Sequence, residues 1–289
     1  MAGKKIDTQT VGLDTGLALA RWLTGKEHLH YGLWTGIDVS AGNVGQAQEA
    51  YSVKLLALLP PRAGLRILDI GGGAGETAKR LITMGHTVEI VVPSAFLADR
   101  CRVNAPQAVV HECRFEDLHS GGGFDVCLFS ESFQYIPPTV SLPKARGLLA
   151  AGGEIVIGDC FRSDEFRADP ERAVVGGGHA LAEFRKVLAS QPLRTVSEED
   201  ITEAVAPSID LEQAFFNVFG VGFSSFDREL QARRPWRHWA MHQIFKVVIS
   251  KRRRTRLGQR LFETARTSAS FCVNNRYLLI RLAQADQPN

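Results

Sequence analysis

The stretch Ile67-Leu68-Asp69-Ile70-Gly71-Gly72-Gly73-Ala74-Gly75 is a short apolar run that ends in an acid and then breaks into glycine. A β-branched run of this length, closed by glycines, predicts a buried parallel strand. Glycine after such a strand permits a tight turn and close backbone approach to a ligand. The helix that follows aims its free N–H groups at whatever sits there. Two uses of such a turn fail on the residues. A dinucleotide fingerprint requires glycine at position 76, where Glu76 stands, and a phosphate loop requires Gly-Lys-Ser/Thr, which is absent. What remains is an acidic strand end followed by Gly-x-Gly-x-Gly.

Working outward, Val44, Ala47, Tyr51, Leu55 and Leu58 recur at helical spacing over 43–59, and Pro60-Pro61 stops that helix. Helices are predicted over 74–84, 96–104, 140–149 and 180–188. Strands are predicted at 65–70, 87–92, 108–111, 124–129, 154–160 and 193–197. Phe271–Ala283, with Tyr277-Leu278-Leu279-Ile280, supplies a seventh. This alternation predicts βαβ units and an α/β fold with a doubly wound, mostly parallel sheet. Residues 162–180, with Pro170 and Gly176-Gly177-Gly178, read as a mobile segment, and 211–268 as a basic helical insertion before the last strand. The expected division is an N-terminal helical cap (1–60), a ligand-binding core (61–200), a helical insertion or lid (201–270) and the closing strand (271–289).

Composition sets limits on function. Hydrophobic residues make up 45% of 289 and charged residues 22%, the balance of a globular chain with a real core. Met1–Thr10 carries no apolar segment, so no secretory leader is expected. No run reaches the roughly 18 apolar residues of a membrane span. The cysteines Cys101, Cys113, Cys127, Cys160 and Cys272 are odd in number and form no Cys-x-x-Cys pair. A reducing cytoplasm without disulfides or zinc is therefore expected. His238 and His242 are one turn apart on a predicted helix, but without a third ligand no metal site is expected. Trp236 and Trp239 are expected as anchors beneath that helix. Between Asp227 and Arg266 twelve Lys/Arg face three Asp/Glu, although the whole chain is only +3. That asymmetry points either to a solvated helix face or to an anionic partner. Basic residues there are not interleaved with aromatics over most of its length, which disfavours nucleic acid.

Taken in order along the chain, several motifs resemble the class I S-adenosylmethionine-dependent small-molecule methyltransferases. The nearest groups are the tocopherol C-, sarcosine/dimethylglycine N- and rebeccamycin-type sugar O-methyltransferases, with cyclopropane fatty acid synthases more distant. The motifs are Leu29-His30-Tyr31-Gly32-Leu33-Trp34, the Asp69–Gly75 turn, Phe124-Asp125-Val126, Ser130-Glu131-Ser132, Ile155-Val156-Ile157-Gly158-Asp159, Glu199-Asp200-Ile201-Thr202 and Tyr277–Ile280. The resemblance implies a Rossmann-like seven-stranded sheet and S-adenosylmethionine as cofactor, with S-adenosylhomocysteine as product. The acceptor would be a small molecule, acidic if the basic insertion steers it, and the enzyme a monomer or homodimer.

By the same resemblance, Asp69, Gly71 and Gly73 would line the methionine and ribose side of the cofactor. Tyr31 and Trp34 would close over it, and Ser130 and Glu131 would lie beside the transferring methyl. Val92 and Phe115 would flank the nucleoside. Asp159 would face the acceptor, with Tyr135 or His30 as helper in proton transfer. This chain departs from the relatives at three places. Val92 stands where many carry an acid for the ribose hydroxyls, Arg114 where an acid faces the adenine amine, and Gln134-Tyr135 where the sugar enzymes pair histidines. Those departures keep open a runner-up, lyase or cyclase chemistry on the cofactor itself. A non-catalytic binding module ranks below both.

Overall fold

The computed structural model describes residues 8–166, 175–262 and 266–285, with side chains from Asp14 onward. Two helices, α1 (Thr8–Thr24) and α2 (Val44–Leu56), precede the sheet. Then come β1 (Arg66–Ile70), α3 (Glu76–Thr83), β2 (Thr87–Val91), α4 (Ala95–Asn104), β3 (Val109–His111), β4 (Phe124–Ser130), α5 (Pro138–Leu148) and β5 (Leu149–Arg162). The chain continues through α6 (Leu181–Ala189), β6 (Leu193–Asp200), α7 (Thr202–Val205), α8 (Pro207–Arg233), α9 (Pro235–Val248), α10 (Lys251–Phe262), α11 (Ser268–Asn274) and β7 (Asn275–Gln284).

The seven strands lie in the order β3-β2-β1-β4-β5-β7-β6, parallel except for β7, which runs antiparallel to both its neighbours. Successive side chains leave a strand on opposite faces, so each strand feeds two cores. Ile67, Val126, Leu128, Val156 and Leu279 pack beneath α2, α3 and α4. Leu68, Ile70, Phe129, Ile157 and Ile280 pack against Leu142, Ala145 and Phe184 of α5 and α6. Chain direction across the sheet reverses between β1 and β4, and in open α/β sheets ligands bind at the carboxyl ends of strands at that point.

Three sequence expectations change in the structure, two of them element boundaries. The apolar run at 271 opens as helix, because the Thr267 side chain accepts from Ser270 N–H and caps α11; β7 starts at Asn275. Strand β5 is longer than 154–160, since antiparallel pairing carries it to Arg162 opposite Asn275. Trp236 and Trp239 do not anchor α9: they are 67% and 65% exposed, and α9 buries no residue. Of the segment expected to be mobile, 167–174 lies outside the described residues. No helix among the described residues is long and apolar enough to cross a membrane.

Candidate active site

Asp69 is the next-to-last residue of β1, its side chain fully buried, and neither carboxylate oxygen has a hydrogen-bond partner. Desolvation alone pushes its pKa up to about 7. The turn above it is built for close approach. Gly71 and Gly73 have φ of +75° and +54°, a region that suits glycine. A Cβ on Gly72 would stand 2.7 Å from both Asp69 Oδ2 and Ile90 Cγ2, whereas a Cβ on Gly73 would meet nothing nearer than 3.9 Å. The turn is therefore tight underneath and open at Gly73. Helix α4 holds it in place, Cys101 Sγ donating to the Gly73 carbonyl and Asn104 to that of Ala74.

Glu131, just past the end of β4, adopts a φ of +53°, the one positive value outside glycine among the described residues. Its Oε1 accepts from Tyr31 N–H and from the Tyr277 hydroxyl, both at 2.8 Å. A phenol has one proton, so Tyr277, giving its own to Glu131, accepts from Tyr51 at 2.8 Å. Desolvation outweighs these hydrogen bonds and raises Glu131 to about 7. Asp159 is fully buried on β5, next to Gly158, which pairs with Ser130 of β4. Its oxygens accept from Gln134 N–H at 3.0 Å and Cys160 N–H at 2.7 Å. Burial, helped by the neighbouring Glu131 charge, lifts it to about 8. Glu131 and Asp159 thus lie close enough for one to raise the other's proton affinity, while Asp69 on β1 is shifted by burial alone, and no Lys or Arg side chain is paired with any of the three among the described residues.

The N-terminal segment crosses this face. Glu27 is buried and receives Arg100 at 2.7 and 2.9 Å and Asn104 at 2.7 Å. His30 Nδ1 lies 2.8 Å from the Tyr31 carbonyl, which can only accept, so Nδ1 carries the proton. Its Nε2 faces His28 Nδ1 at 3.2 Å, and desolvation lowers its pKa to about 3. His30 is therefore neutral and a weak base. The Tyr31 ring stands edge-on to Phe271.

No protein-family model matches the chain. The 27-O-demethylrifamycin SV methyltransferase of Amycolatopsis mediterranei is 30% identical over 203 residues, which span 63% of this chain and 72% of that protein. The chain belongs to the S-adenosylmethionine-dependent methyltransferases. A geranyl diphosphate C-methyltransferase of Streptomyces coelicolor A3(2), solved with S-adenosyl-L-homocysteine, shares the fold at TM-score 0.61 and 14% identity. That likeness covers 98% of this chain and 100% of the other. The [4+2]-cyclase SpnF shares it equally well, at 0.62 and 16% identity over 97% of both chains. Fold alone does not choose the reaction; the rifamycin relative does. S-Adenosylmethionine fits the residues present: an orphaned buried carboxylate under an open glycine turn suits a ligand that carries positive charge.

The structure brings Asp69, Gly71, Gly73, Ser130, Glu131, Asp159 and Tyr31 to the carboxyl edge of the sheet. Tyr135 stands at its rim, 71% exposed, its pKa raised by desolvation and by Asp159 and Glu131. Val92 is buried just past β2, its N–H donating to His111. Phe115 packs edge-on to Phe129 in the core. Trp34 is buried against α8: its indole N–H donates to Ser208 at 2.8 Å, and its backbone N–H to Ala204. Arg114 turns outward onto Glu116 at 2.7 Å. Sequence reading missed Glu27 and Arg100, and gave Tyr51 and Tyr277 only as helix and strand residues, not as partners of Glu131. Their partners are far apart in the chain.

Proposed function

We propose that these residues take the roles their geometry supports in methyl transfer to an O, N or C atom of a small, acidic metabolite of specialised metabolism. The observation that carries this is the buried, unpartnered carboxylate of Asp69 beneath the open face of Gly73. When bound, S-adenosylmethionine supplies a methyl on a cationic sulfur that leaves as a neutral thioether. The chain's task is to hold the acceptor in line, a proximity effect worth up to about 7–11 kcal/mol. Asp69 and Glu131 favour the positive cofactor. Asp159, whose oxygens hold the Gln134 and Cys160 amides, sets the turn that carries Tyr135, and Tyr135 reaches the acceptor or its proton. His30 is a positioning residue for Tyr31. The cap (1–60) and the insertion (201–270) enclose the acceptor, in a cytoplasmic enzyme.

Calorimetric titration tests the reading. Micromolar-range binding of S-adenosylmethionine is expected, and Gly73→Val should abolish it, since the new side chain fills the open face and strains a turn held at a φ of +54°. Wild-type protein that takes up no ligand at millimolar concentration would overturn the assignment of the site.

A further inference from the structure

Sequence alone gave His238 and His242 no third ligand. The fold supplies one. Residues four apart on a helix share a face, so both imidazoles of α9 point the same way, with ring centroids 4.3 Å apart. Across the turn at Arg234, Asp227 of α8 meets them. Its Oδ1 lies 2.9 Å from His242 Nε2 and 3.1 Å from His238 Nε2. We propose that Asp227, His238 and His242 form a binding site for a divalent transition-metal ion of the zinc class, stapling α8 to α9.

Geometry and chemistry both support it. Three protein ligands within 4.8 Å of one another make a set that one ion can bridge. Metal–ligand bonds of about 2.0–2.2 Å at tetrahedral angles place ligand atoms about 3.3 Å apart, so the two carboxylate–imidazole spacings need to open by only a few tenths. Two imidazoles and one carboxylate suit zinc, nickel or cobalt better than magnesium or calcium. The fourth position faces solvent, where a water completes the shell. His238 Nε2 is also a buried atom without a directional hydrogen bond, despite its closeness to Asp227. A buried polar atom left this way calls for an explanation, and an ion provides it.

The hairpin has need of a staple. The buried residues of α8 are Ile209, Gln213 and Gly220, all in its first half, and α9 buries none. Phe223, Phe226, Trp236 and Trp239 are exposed around the tip. Little apolar packing fixes α9 against α8, and a bound ion stabilises the folded arrangement by its binding free energy.

The test uses the full chain, stripped with chelator and titrated with Zn2+ alone. One ion per chain is expected, with micromolar or tighter affinity. His242→Ala and Asp227→Asn should each weaken it at least tenfold, while S-adenosylmethionine binding to both variants stays at the wild-type level. Co2+ in place of Zn2+ should give the visible absorption of a tetrahedral site, and Zn2+ should slow hydrogen exchange over 221–248 in wild type only. Failure of wild type to bind, or equal affinity in the variants, overturns the site. Binding without slowed exchange overturns the staple.

Discussion

Asp69 is where the electrostatics of the site can be read most directly. A carboxyl held at about 7 by desolvation is mostly protonated at pH 6 and mostly ionised at pH 8. A cation prefers the ionised form, so affinity for S-adenosylmethionine should rise as pH increases through 7, by about tenfold between pH 6 and 8. The sign follows from linkage: the raised pKa means the free protein holds a proton that the bound state gives up. Calorimetry in two buffers of different ionisation enthalpy should detect that release. Asp69→Asn should bind weakly at every pH and release no proton. An equally steep profile in the variant would move the titrating group elsewhere, to Glu131 or Asp159, which share the same elevated range. His30 contributes nothing to such a profile, since a pKa of about 3 leaves it neutral throughout.

At the scale of elements, the site depends on the N-terminal segment being fastened to α4. Burial raises the Glu27 pKa, but hydrogen bonds from Arg100 and Asn104 and the charges of Arg100 and Arg21 outweigh it, and the net shift is downward. A lowered carboxylate pKa stabilises the fold above its ordinary value of 4.5, and that contribution is lost as pH falls through the folded-state value. Glu27→Gln should therefore cost about 1–3 kcal/mol in denaturant unfolding at pH 7, a gap that narrows in acid. KM for the cofactor should rise more than kcat falls, because the cap loosens without losing a group at the reacting atoms. Unchanged KM would separate the cap from cofactor binding. This fastening shows why some parts of the molecule were legible in sequence and others were not. Strands β1, β2 and β4 announce themselves through short runs rich in Val, Ile, Leu and Phe with glycine close by in sequence (Gly71, Gly85 and Gly123), signals contained in a few residues. The Glu27–Arg100 pair joins positions 73 apart, and no local pattern marks it. Phe271 was legible as buried but not as helical, since apolar content without periodicity fits either; the Thr267 cap decided it. Asp227 likewise carries no sign of its histidine neighbours until the chain turns at Arg234.

Over the whole molecule, charge is divided unequally: the carboxyl edge of the sheet is acidic, and the segment from Arg228 to Arg266 is basic. Not all of those cations are available to a ligand. Arg260 and Arg266 both reach Glu212, at 2.6 and 3.0 Å, and Arg254 donates to the Lys246 carbonyl. Lys251, Arg252 and Arg253 remain exposed at the start of α10. An acidic acceptor approaching a rim of one sign is drawn in, which raises the encounter rate by about 10-fold or more. The cationic cofactor gains nothing from that field, so the two substrates should respond to salt differently. Steering is screened over about 8–10 Å at 0.1–0.15 M salt. Hence kcat/KM for the acceptor should fall as ionic strength rises, while kcat, which is measured after binding, holds steady. Reversing Lys251, Arg252 and Arg253 to Glu should lower kcat/KM at low salt and flatten its dependence, without changing cofactor affinity. A salt series on both proteins, run with the acceptor once mass spectrometry has identified it, supplies the comparison. A wild-type profile that is flat from 20 mM to roughly 500 mM, well past the screening limit, would reduce the basic segment to a solvated helix face and remove the argument for an acidic acceptor.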